Sequence, residues 1–478
     1  MHASTHRAPP RPSHIAYIRP YAKDGHRRIW IEGRRVSDSG FAPGGRYAVR
    51  YDVAARFVEL TVTDAIGKKV HRKTKNGGDW PIIDLFNGTL DSVIGDCSRL
   101  RVEFHPGRIR ITTAPLRAAA ARRAEQLTRT LAANQPLRMG SLFHGLGVLD
   151  YAVHSGIEDG GIATELRFAV EREVQYLDAS LAANPVWTAN ALALLGDIQD
   201  IDLADLPKVD ALCAGIPCQG ASDQGRTALG LKAPEMHPEV GHLFLPFLRI
   251  VEAVQPSVVL IENVPKYEST LSFEMIRRTF ANLGYEMETL ELCGNDFGAL
   301  EDRRRLVAVA RVPEMPPVLA CIDAFKAPVA HAIADVLDPV PADAPEWKPY
   351  QGVHDKLARD ALKPGNGFKL NLLAAEDRKV PTLIKGYSTT KAWQPFLRHP
   401  TDAGLMRKFT AVEHARIKGI PEALIRGLPP TVAHETLGQS VIFPVFRAVG
   451  QAIARSLRIM RDGVRVRVPV QQELFAFA

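Results

Sequence analysis

The chain has 478 residues, of which 46% are hydrophobic and 24% charged, and a net charge of +7, as is typical of a globular protein with about two or three domains. No run of about 18 apolar residues predicts a membrane span, and no apolar segment near the first residues predicts a secretion signal. Five cysteines without a C-x-x-C pair argue against a disulfide framework or a zinc cluster, so we expect a cytoplasmic protein without a metal site or a membrane partner.

Residues 1–115 are predicted to form a β-rich domain. Period-two or β-branched runs occur at residues 27–33, 46–53 and 57–63. Residues 100–113 predict a hairpin with its turn at Pro106 and Gly107. The polar face of that hairpin is lined by arginines, namely Arg101, Arg108 and Arg110. No internal repeat stands out in the chain.

Positive charge is concentrated in the same part of the chain. Residues 1–138 contain 25 Lys and Arg against 12 Asp and Glu, so the remainder is slightly acidic. Such an excess predicts a segment that binds a polyanion. A basic surface that serves only solubility is the alternative. Residues 116–136 are dense in good helix formers and predict a helical linker.

From residue 137 onward, apolar strands alternate with helical stretches. This alternation is typical of an α/β fold with a doubly wound, mostly parallel sheet. It extends over residues 137–315, is lost in the proline- and glycine-rich residues 316–400, and gives way to a helical pattern in residues 401–462. Residues 463–478 are assigned to a tail.

Polar groups follow three successive strands of this pattern. The stretch SLFHGLGVLD at residues 141–150 predicts a glycine turn between a strand and a helix. Glu171 ends the next strand, where a carboxylate can bond ribose hydroxyls, and Asp197 follows a third. An ordinary strand-to-helix turn would explain the glycines alone, but the three features in this order favour a nucleoside pocket.

The stretch DALCAGIPCQGAS at residues 210–222 contains two cysteines of different kinds. Cys213 lies inside an apolar strand and is expected to be a buried core residue. Cys218 lies past the end of that strand, at the edge where open α/β sheets bind ligands. Glu262 ends the following apolar strand. A thiol and a carboxylate at one edge can attack and protonate an electron-poor ring, although Glu262 could instead be a helix cap.

Eight motifs in one order resemble the DNA cytosine-5 methyltransferases. They are SLFHGLG, the acidic Glu171, GDIQD, GIPCQGAS, LIENV, NDFGALEDRRRLVAVAR, RKFTAVEHARIKGIP and GQSV, within residues 137–315 and 402–460. The resemblance implies a class I, Rossmann-like methyltransferase domain at residues 137–315 that uses S-adenosylmethionine. It also implies a target-recognition domain at residues 316–400 and a return to the catalytic domain at residues 401–462.

The same resemblance implies a reaction and its residues. Cys218 adds to C6 of a cytosine that has been flipped out of double-stranded DNA, Glu262 engages N3 and the exocyclic amine, and C5 accepts the methyl group. Arg303 and Arg305 match the family's paired arginines, with Arg303 favoured for steadying the flipped base and Arg305 open to a plain salt bridge. The residues implied at the cofactor are Phe143, Gly145, Gly147, Glu171, Asp197, Ser440 and Val441.

Several positions depart from the family pattern. Ala221 replaces an aromatic residue, Val148 a glycine, Glu301 a glutamine and Gln439 an asparagine. None of these changes removes a reacting group. Within residues 316–400, Thr382 and the following leucine match the recognition domain, so we expect the choice of DNA site to be made there.

The N-terminal region has no counterpart in the minimal members of that family. Residues 29–49 faintly resemble an AbrB-type swapped-hairpin DNA-binding domain. We expect residues 1–115 to add sequence-independent affinity for DNA, with packing on the catalytic domain or dimerisation as the alternative.

Two other functions compete with a DNA methyltransferase. One is cytosine-5 methylation of tRNA, and the other is a DNA-binding regulator with a degenerate enzyme body. As a DNA methyltransferase, the protein would associate with the nucleoid and could accompany a cognate restriction endonuclease in a restriction-modification system.

Overall fold

A computed structural model describes residues 11–75, 78–95, 97–217, 233–361 and 370–463. Cys218 and Ala221 lie outside these ranges. The chain divides into two compact units at residues 122 and 123. Among the described residues, no single helix is long and apolar enough to span a membrane. One bent pair of helices, residues 430–439 with 443–462, meets these two criteria when taken together, by length and composition only.

The first unit is built from short strands and two small helices. Its six-stranded sheet has the order β1-β9-β10-β5-β4-β6, and its four-stranded sheet has the order β2-β3-β8-β7. The elements are β1 (His14–Ile18), β2 (Tyr21–Lys23), β3 (His26–Glu32), α1 (Arg34–Asp38), β4 (Arg46–Asp52), β5 (Phe57–Val62), β6 (Lys68–Lys69), β7 (His71–Lys75), β8 (Gly78–Phe86), α2 (Gly88–Ile94), β9 (Leu100–His105) and β10 (Arg108–Thr113). The predicted hairpin is β9–β10, and Gly107 adopts the positive φ of 71° that its tight turn requires.

The backbone of this unit contains a repeat. Elements β1 to β5 with α1 form a first half, and β6 to β10 with α2 form a second half in the same order. The strands β1 to β5 correspond in turn to β6 to β10. When each strand is replaced by its counterpart, both sheets keep the same strand order, read from the opposite edge. The β3–β8 register follows the same exchange, because Arg28 pairs with Phe86 and Glu32 with Ile82. The unit is therefore a pseudo-twofold arrangement within one chain, which the dissimilar side chains of the two halves conceal in the sequence.

The second unit is an α/β structure around a seven-stranded sheet. The sheet order is β13-β12-β11-β14-β15-β18-β16, in which the first five strands are parallel and β18 runs antiparallel to both neighbours. This confirms the expected doubly wound, mostly parallel sheet. Helix α3 (Pro115–Ala132) contains the division between the two units. The elements that follow it are β11 (Leu137–Leu142), α4 (Val148–Asp159), β12 (Thr164–Glu171), α5 (Val174–Ala183), β13 (Leu192–Leu195), β14 (Ala211–Gly215), α6 (Phe244–Val254), β15 (Val258–Asn263), α7 (Leu271–Leu283), β16 (Glu286–Cys293), β17 (Glu301–Asp302) and β18 (Arg304–Arg311).

The remaining elements form a small appended layer and a helical return to the sheet. Strands β19, β21 and β22 make a three-stranded sheet, and β20 pairs with β17. The elements are α8 (Gln351–Ala361), β19 (Asn371–Leu373), β20 (Val380–Pro381), β21 (Pro395–Arg398), β22 (Met406–Arg407), α9 (Ala411–Ile417), α10 (Pro430–Gln439) and α11 (Phe443–Asp462). Strand β22 lies past residue 400, where the sequence pattern ends the recognition segment.

Helix α11 packs on α4 at glycines. A Cβ at Gly156 would overlap the carbonyl of Arg447, and a Cβ at Gly450 would overlap the carbonyl of Val153. The two helix backbones can approach this closely only because these positions have no side chain. The close contact joins the last described helix to the helix that follows the glycine turn.

Candidate active site

The glycine turn after β11 has the backbone conformation that its sequence predicts. Phe143, Gly145 and Gly147 have positive φ angles of 58°, 58° and 71°. A Cβ at Gly147 would lie 2.5 Å from Asn184 Nδ2 and from His144 Cε1, so a larger residue cannot be accommodated without movement. At Gly145 a Cβ would meet no atom within 4 Å, so that position faces open space.

A buried polar network holds this turn in place. The hydroxyl of Ser141 donates to Asp150 Oδ2 at 2.6 Å, and the same oxygen lies 2.9 Å from His144 Nδ1. His144 Nε2 lies 2.8 Å from Ser180 Oγ, which also accepts a hydrogen bond from Trp187 Nε1 at 3.0 Å. The network fixes both the strand end and the first turn of α4. No sequence pattern indicates this network, because its members come from separate elements.

Glu171 is bonded to the glycine turn. Its Oε2 accepts a hydrogen bond from the Gly145 N–H at 2.6 Å, and its Oε1 accepts from the N–H groups of Arg172 and Glu173, each at 2.9 Å. A carboxylate with charge-assisted bonds of this kind is held in one orientation. Glu171 therefore lies at the carboxyl edge of the sheet beside Gly145, as the sequence predicts.

Asp197 lies at the same edge. Its strand β13 pairs with β12, and the Gly196 N–H donates to the carbonyl of Glu171 at 2.9 Å. Asp197 Oδ1 accepts from the Gln199 N–H at 3.0 Å, which orients the carboxylate within its turn. Three adjacent strand ends thus present the glycine turn, Glu171 and Asp197 side by side.

The GQSV motif is connected to this edge through Tyr176. Gln439 Nε2 donates to the Tyr176 hydroxyl at 3.2 Å, and that hydroxyl donates to Glu435 Oε1 at 2.8 Å. Tyr176 belongs to α5, which begins shortly after Glu171. Ser440 bonds the carbonyl of Thr436 at 2.7 Å, and the neighbouring Val441 is buried. The replacement of asparagine by Gln439 therefore keeps an amide that reaches across to α5.

The second part of the site lies at the ends of β14 and β15. Gly215 pairs with Glu262 in the parallel ladder. Asn263 Nδ2 donates to the carbonyl of Ile216 at 3.1 Å, which holds the main chain directly before Pro217 and Cys218. Cys213 is buried within β14, and burial raises the pKa of its thiol well above the usual value. Cys213 is the buried core residue that its apolar strand predicts.

Glu262 forms an ion pair with Arg305. The Arg305 Nε atom lies 2.8 Å from Glu262 Oε1, and both side chains are only 14% exposed. Arg303 is directed elsewhere: its Nη2 donates to the carbonyl of Gly438 at 3.1 Å and its Nη1 to that of Leu383 at 3.4 Å. The sequence favours Arg303 for contact with the base, whereas the structure places Arg305 against Glu262 and buries Arg303 between main-chain oxygens.

Glu301 is the centre of a buried ionic cluster. Its Oε2 lies 2.9 Å from Lys418 Nζ, its Oε1 lies 3.5 Å from Arg303 Nη1, and Oε1 also accepts from the Leu383 N–H at 3.2 Å. Glu301 and Lys418 are both completely buried. Burial, with the positive charge of Arg303, lowers the pKa of Lys418 to about 7, although Glu301 acts in the opposite direction.

The cluster accounts for one departure from the family pattern. A charged Glu301 replaces a neutral glutamine, and the structure supplies Lys418 as its counter-ion. Because a buried charge is costly unless it is paired, the glutamate needs that partner. The charged residue in place of a neutral one was the only signal in the sequence that such a partner exists.

The family model described as C-5 cytosine-specific DNA methylase matches residues 137–455. The chain belongs to this family. The match covers the seven-stranded sheet, the glycine turn, the Glu262–Arg305 pair and the helical return.

Relatives of this DNA methylase include bacterial type II enzymes. The type II methyltransferase M.NlaX of Neisseria lactamica is 28% identical over 274 residues, which are 56% of this chain and 83% of the relative. The type II methyltransferase M1.ScrFI of Lactococcus lactis subsp. cremoris is 28% identical over 271 residues, 55% of this chain and 66% of the relative. The solved structure of the S. pombe Dnmt2 methyltransferase shares the fold with a TM-score of 0.54 at 20% identity, and the match covers 68% of this chain and 99% of that one.

Proposed function

We propose that this DNA methylase transfers a methyl group from S-adenosylmethionine to C5 of a cytosine within a short sequence of double-stranded DNA. The observation that carries the proposal is the Glu262–Arg305 pair at the end of β15, beside the strand that leads to Cys218. The family match and the type II relatives support DNA as the substrate. A partner restriction endonuclease, as expected for a type II system, remains a prediction.

The donor groups at the ends of β11 to β13 fit S-adenosylmethionine. Glu171 and Asp197 offer carboxylates to hydroxyl groups, Phe143 offers an aromatic ring, and Gly145 leaves room for close approach of a ligand to the main chain. Ser440 and Val441 are held near this edge by the bond between Gln439 and Tyr176. When bound, S-adenosylmethionine supplies the methyl group as an electrophile.

The groups at the ends of β14 and β15 suit chemistry on the cytosine ring. The Cys218 thiolate adds to C6, which makes C5 nucleophilic. Glu262 bonds N3 and the exocyclic amine, and Arg305 holds its carboxylate in place. After C5 has gained the methyl group, loss of the C5 proton and elimination of Cys218 restore the ring. Because these atoms are inaccessible within a duplex, the base must be flipped out.

The test is methyl transfer from labelled S-adenosylmethionine to duplex DNA, with tRNA as the competing substrate. We expect label in DNA, and transfer to tRNA alone would overturn the proposal. Cys218→Ala is expected to abolish transfer while leaving cofactor binding intact. Cys213→Ala is the matched control: it should remain active with some loss of stability, because it removes only a buried core atom.

A trapping experiment tests the covalent step directly. A duplex with 5-fluorocytosine at the methylated position is expected to form a stable adduct with the wild-type protein, because fluorine cannot leave as the C5 proton does. Cys218→Ala should form none. An adduct in that variant would assign the nucleophile to another residue.

A further inference from the structure

The arginine face predicted for the hairpin β9–β10 is compensated in part by acidic neighbours. Arg101 Nε lies 2.8 Å from Glu103, and Arg108 Nη1 lies 3.6 Å from Glu59. Arg110 pairs across the ladder with Glu59 on one side and Glu103 on the other. Two glutamates thus face three arginines, which stabilises the sheet and makes the net charge of this face smaller than its arginines alone would give.

The densest run of positive charge in the unit is residues 68–75, which we call the basic edge. Five of its eight residues are Lys or Arg, and residues 65–78 contain no Asp or Glu. Strand β6 is at the edge of the six-stranded sheet and β7 is at the edge of the four-stranded sheet. Val70 is buried between them and anchors the segment, while Lys68, Lys69 and Lys73 are exposed.

Acidic groups compensate the basic edge only in part. Arg72 Nη1 lies 3.1 Å from Asp79, and Lys73 Nζ lies 3.6 Å from Glu32. All four side chains are at least one-third exposed, so these pairs are weak and readily exchanged for other anions.

Protection of the sheet edges against aggregation does not explain this charge. Lysines commonly protect an edge strand from pairing with another chain. The pseudo-twofold repeat provides an internal comparison, because β1 and β2 occupy the equivalent edges in the other half. Those edges expose Ile15, Tyr17 and Tyr21 at 43%, 56% and 44%. The same backbone position thus tolerates apolar side chains, and the charge of the basic edge has another cause.

We propose that the basic edge binds the phosphate backbone of duplex DNA and adds affinity that does not depend on sequence. The proposal rests on the proposed function, which makes DNA the substrate. Lysine and arginine side chains are typical phosphate ligands, and contacts with phosphates carry no base information directly. The segment has no Phe, Tyr or Trp with which to stack on unpaired bases, which favours a duplex over a single strand.

The test measures the salt dependence of DNA binding by the full-length chain carrying Lys68→Gln, Lys69→Gln and Lys73→Gln. The probe is a fluorescent duplex without a methylation site, and its anisotropy is followed at several salt concentrations. The slope of log K against log salt is negative, and each lost phosphate contact reduces its magnitude by about 0.9. The magnitude of the slope should therefore be smaller in the triple variant by up to about 2.7.

A matched variant removes the same charge from neutralised positions. Arg28, Arg101 and Arg108 lie 2.5, 2.8 and 3.6 Å from a carboxylate, in ion pairs whose side chains are at most one-third exposed. Their replacement by Gln should leave the salt slope close to that of the wild type. Circular dichroism of both triple variants checks that the first unit remains folded.

The outcomes separate this proposal from the proposed function. An unchanged salt slope in the lysine variant, or an equal decrease in the magnitude of the slope in both variants, would overturn the proposal that the basic edge binds DNA phosphates. Methyl transfer to DNA by the wild-type protein is measured independently, and its absence would refute the proposed function instead. A wild-type chain that fails to bind duplex DNA would refute both.

Discussion

The buried pair Glu301–Lys418 provides a quantitative test of the structure. The variants are Glu301→Gln, Lys418→Gln and the double variant, and the double variant restores a neutral pair of side chains. Both residues are completely buried and their charged atoms are 2.9 Å apart. Each single change therefore leaves one member of the pair buried and charged without its main partner, whereas the double change removes both charges. Arg303 loses Glu301 in that variant but keeps its bonds to the carbonyls of Leu383 and Gly438.

The expected magnitudes follow from that geometry. At pH 6 Lys418 holds its proton, and removal of one member of a buried pair costs about 3–5 kcal/mol of unfolding free energy. Lys418→Gln should reach this range. Glu301→Gln should cost less, because the ammonium group can lose its proton. The double variant should lie within about 1 kcal/mol of the wild type, since neutral replacement of a buried pair is often harmless.

The pH dependence provides an independent measurement on the same residues. Below pH 7 Lys418 is charged in both the folded and the unfolded protein. Between about 7 and its ordinary value of 10.5, only the unfolded protein retains the proton, so the unfolding free energy rises with pH. The slope contributed by one proton is about 1.36 kcal/mol per pH unit at most, and Lys418→Gln should lack this contribution.

Urea unfolding followed by circular dichroism at pH 6 and pH 9 gives all of these values. The coupling energy from the four proteins should be about 3 kcal/mol or more at pH 6 and should decrease at pH 9. If the losses of unfolding free energy in the two single variants sum to the loss in the double variant within about 0.5 kcal/mol at pH 6, the two charges do not interact, which would refute the reasoning.

Three further predictions concern the active site. Glu262→Gln should lower the single-turnover methylation rate by about 10²–10⁴-fold with far less change in DNA affinity, and an unchanged rate would leave Glu262 only as the ion-pair partner of Arg305. Arg305→Gln should reduce the single-turnover rate per folded molecule more than Arg303→Gln does, because Arg305 is the arginine in the ion pair with Glu262 and Arg303 bonds main-chain oxygens. The reverse order would assign the contact with the base to Arg303. Glu171→Ala should weaken S-adenosylmethionine binding in calorimetry, and unaltered affinity would give Glu171 a purely structural role.

Local sequence patterns determined much of the fold and of the sheet edge at which Glu171 and Asp197 lie. The glycine turn could be predicted because positive φ angles at Gly145 and Gly147 are a property of the backbone and of residue type. The mostly parallel sheet could be predicted because buried strands and intervening helices differ in length and periodicity. Glu171 and Asp197 followed from these elements, since the carboxyl ends of parallel strands meet at one edge.

Only the tertiary structure decided which charges meet. Arg303 and Arg305 are two residues apart in the sequence. Arg303 bonds main-chain oxygens and Arg305 bonds Glu262, and this difference depends on how α10, which contains Gly438, packs. The partner of Glu301 is more than a hundred residues away at Lys418. Arg108 of the hairpin meets Glu59 of another strand, and the pseudo-twofold repeat is a property of pairing rather than of residue type. Ion pairs depend on the distance between charges in space. The sequence predicts that distance only for residues of the same helix or strand, where the spacing along the chain fixes it.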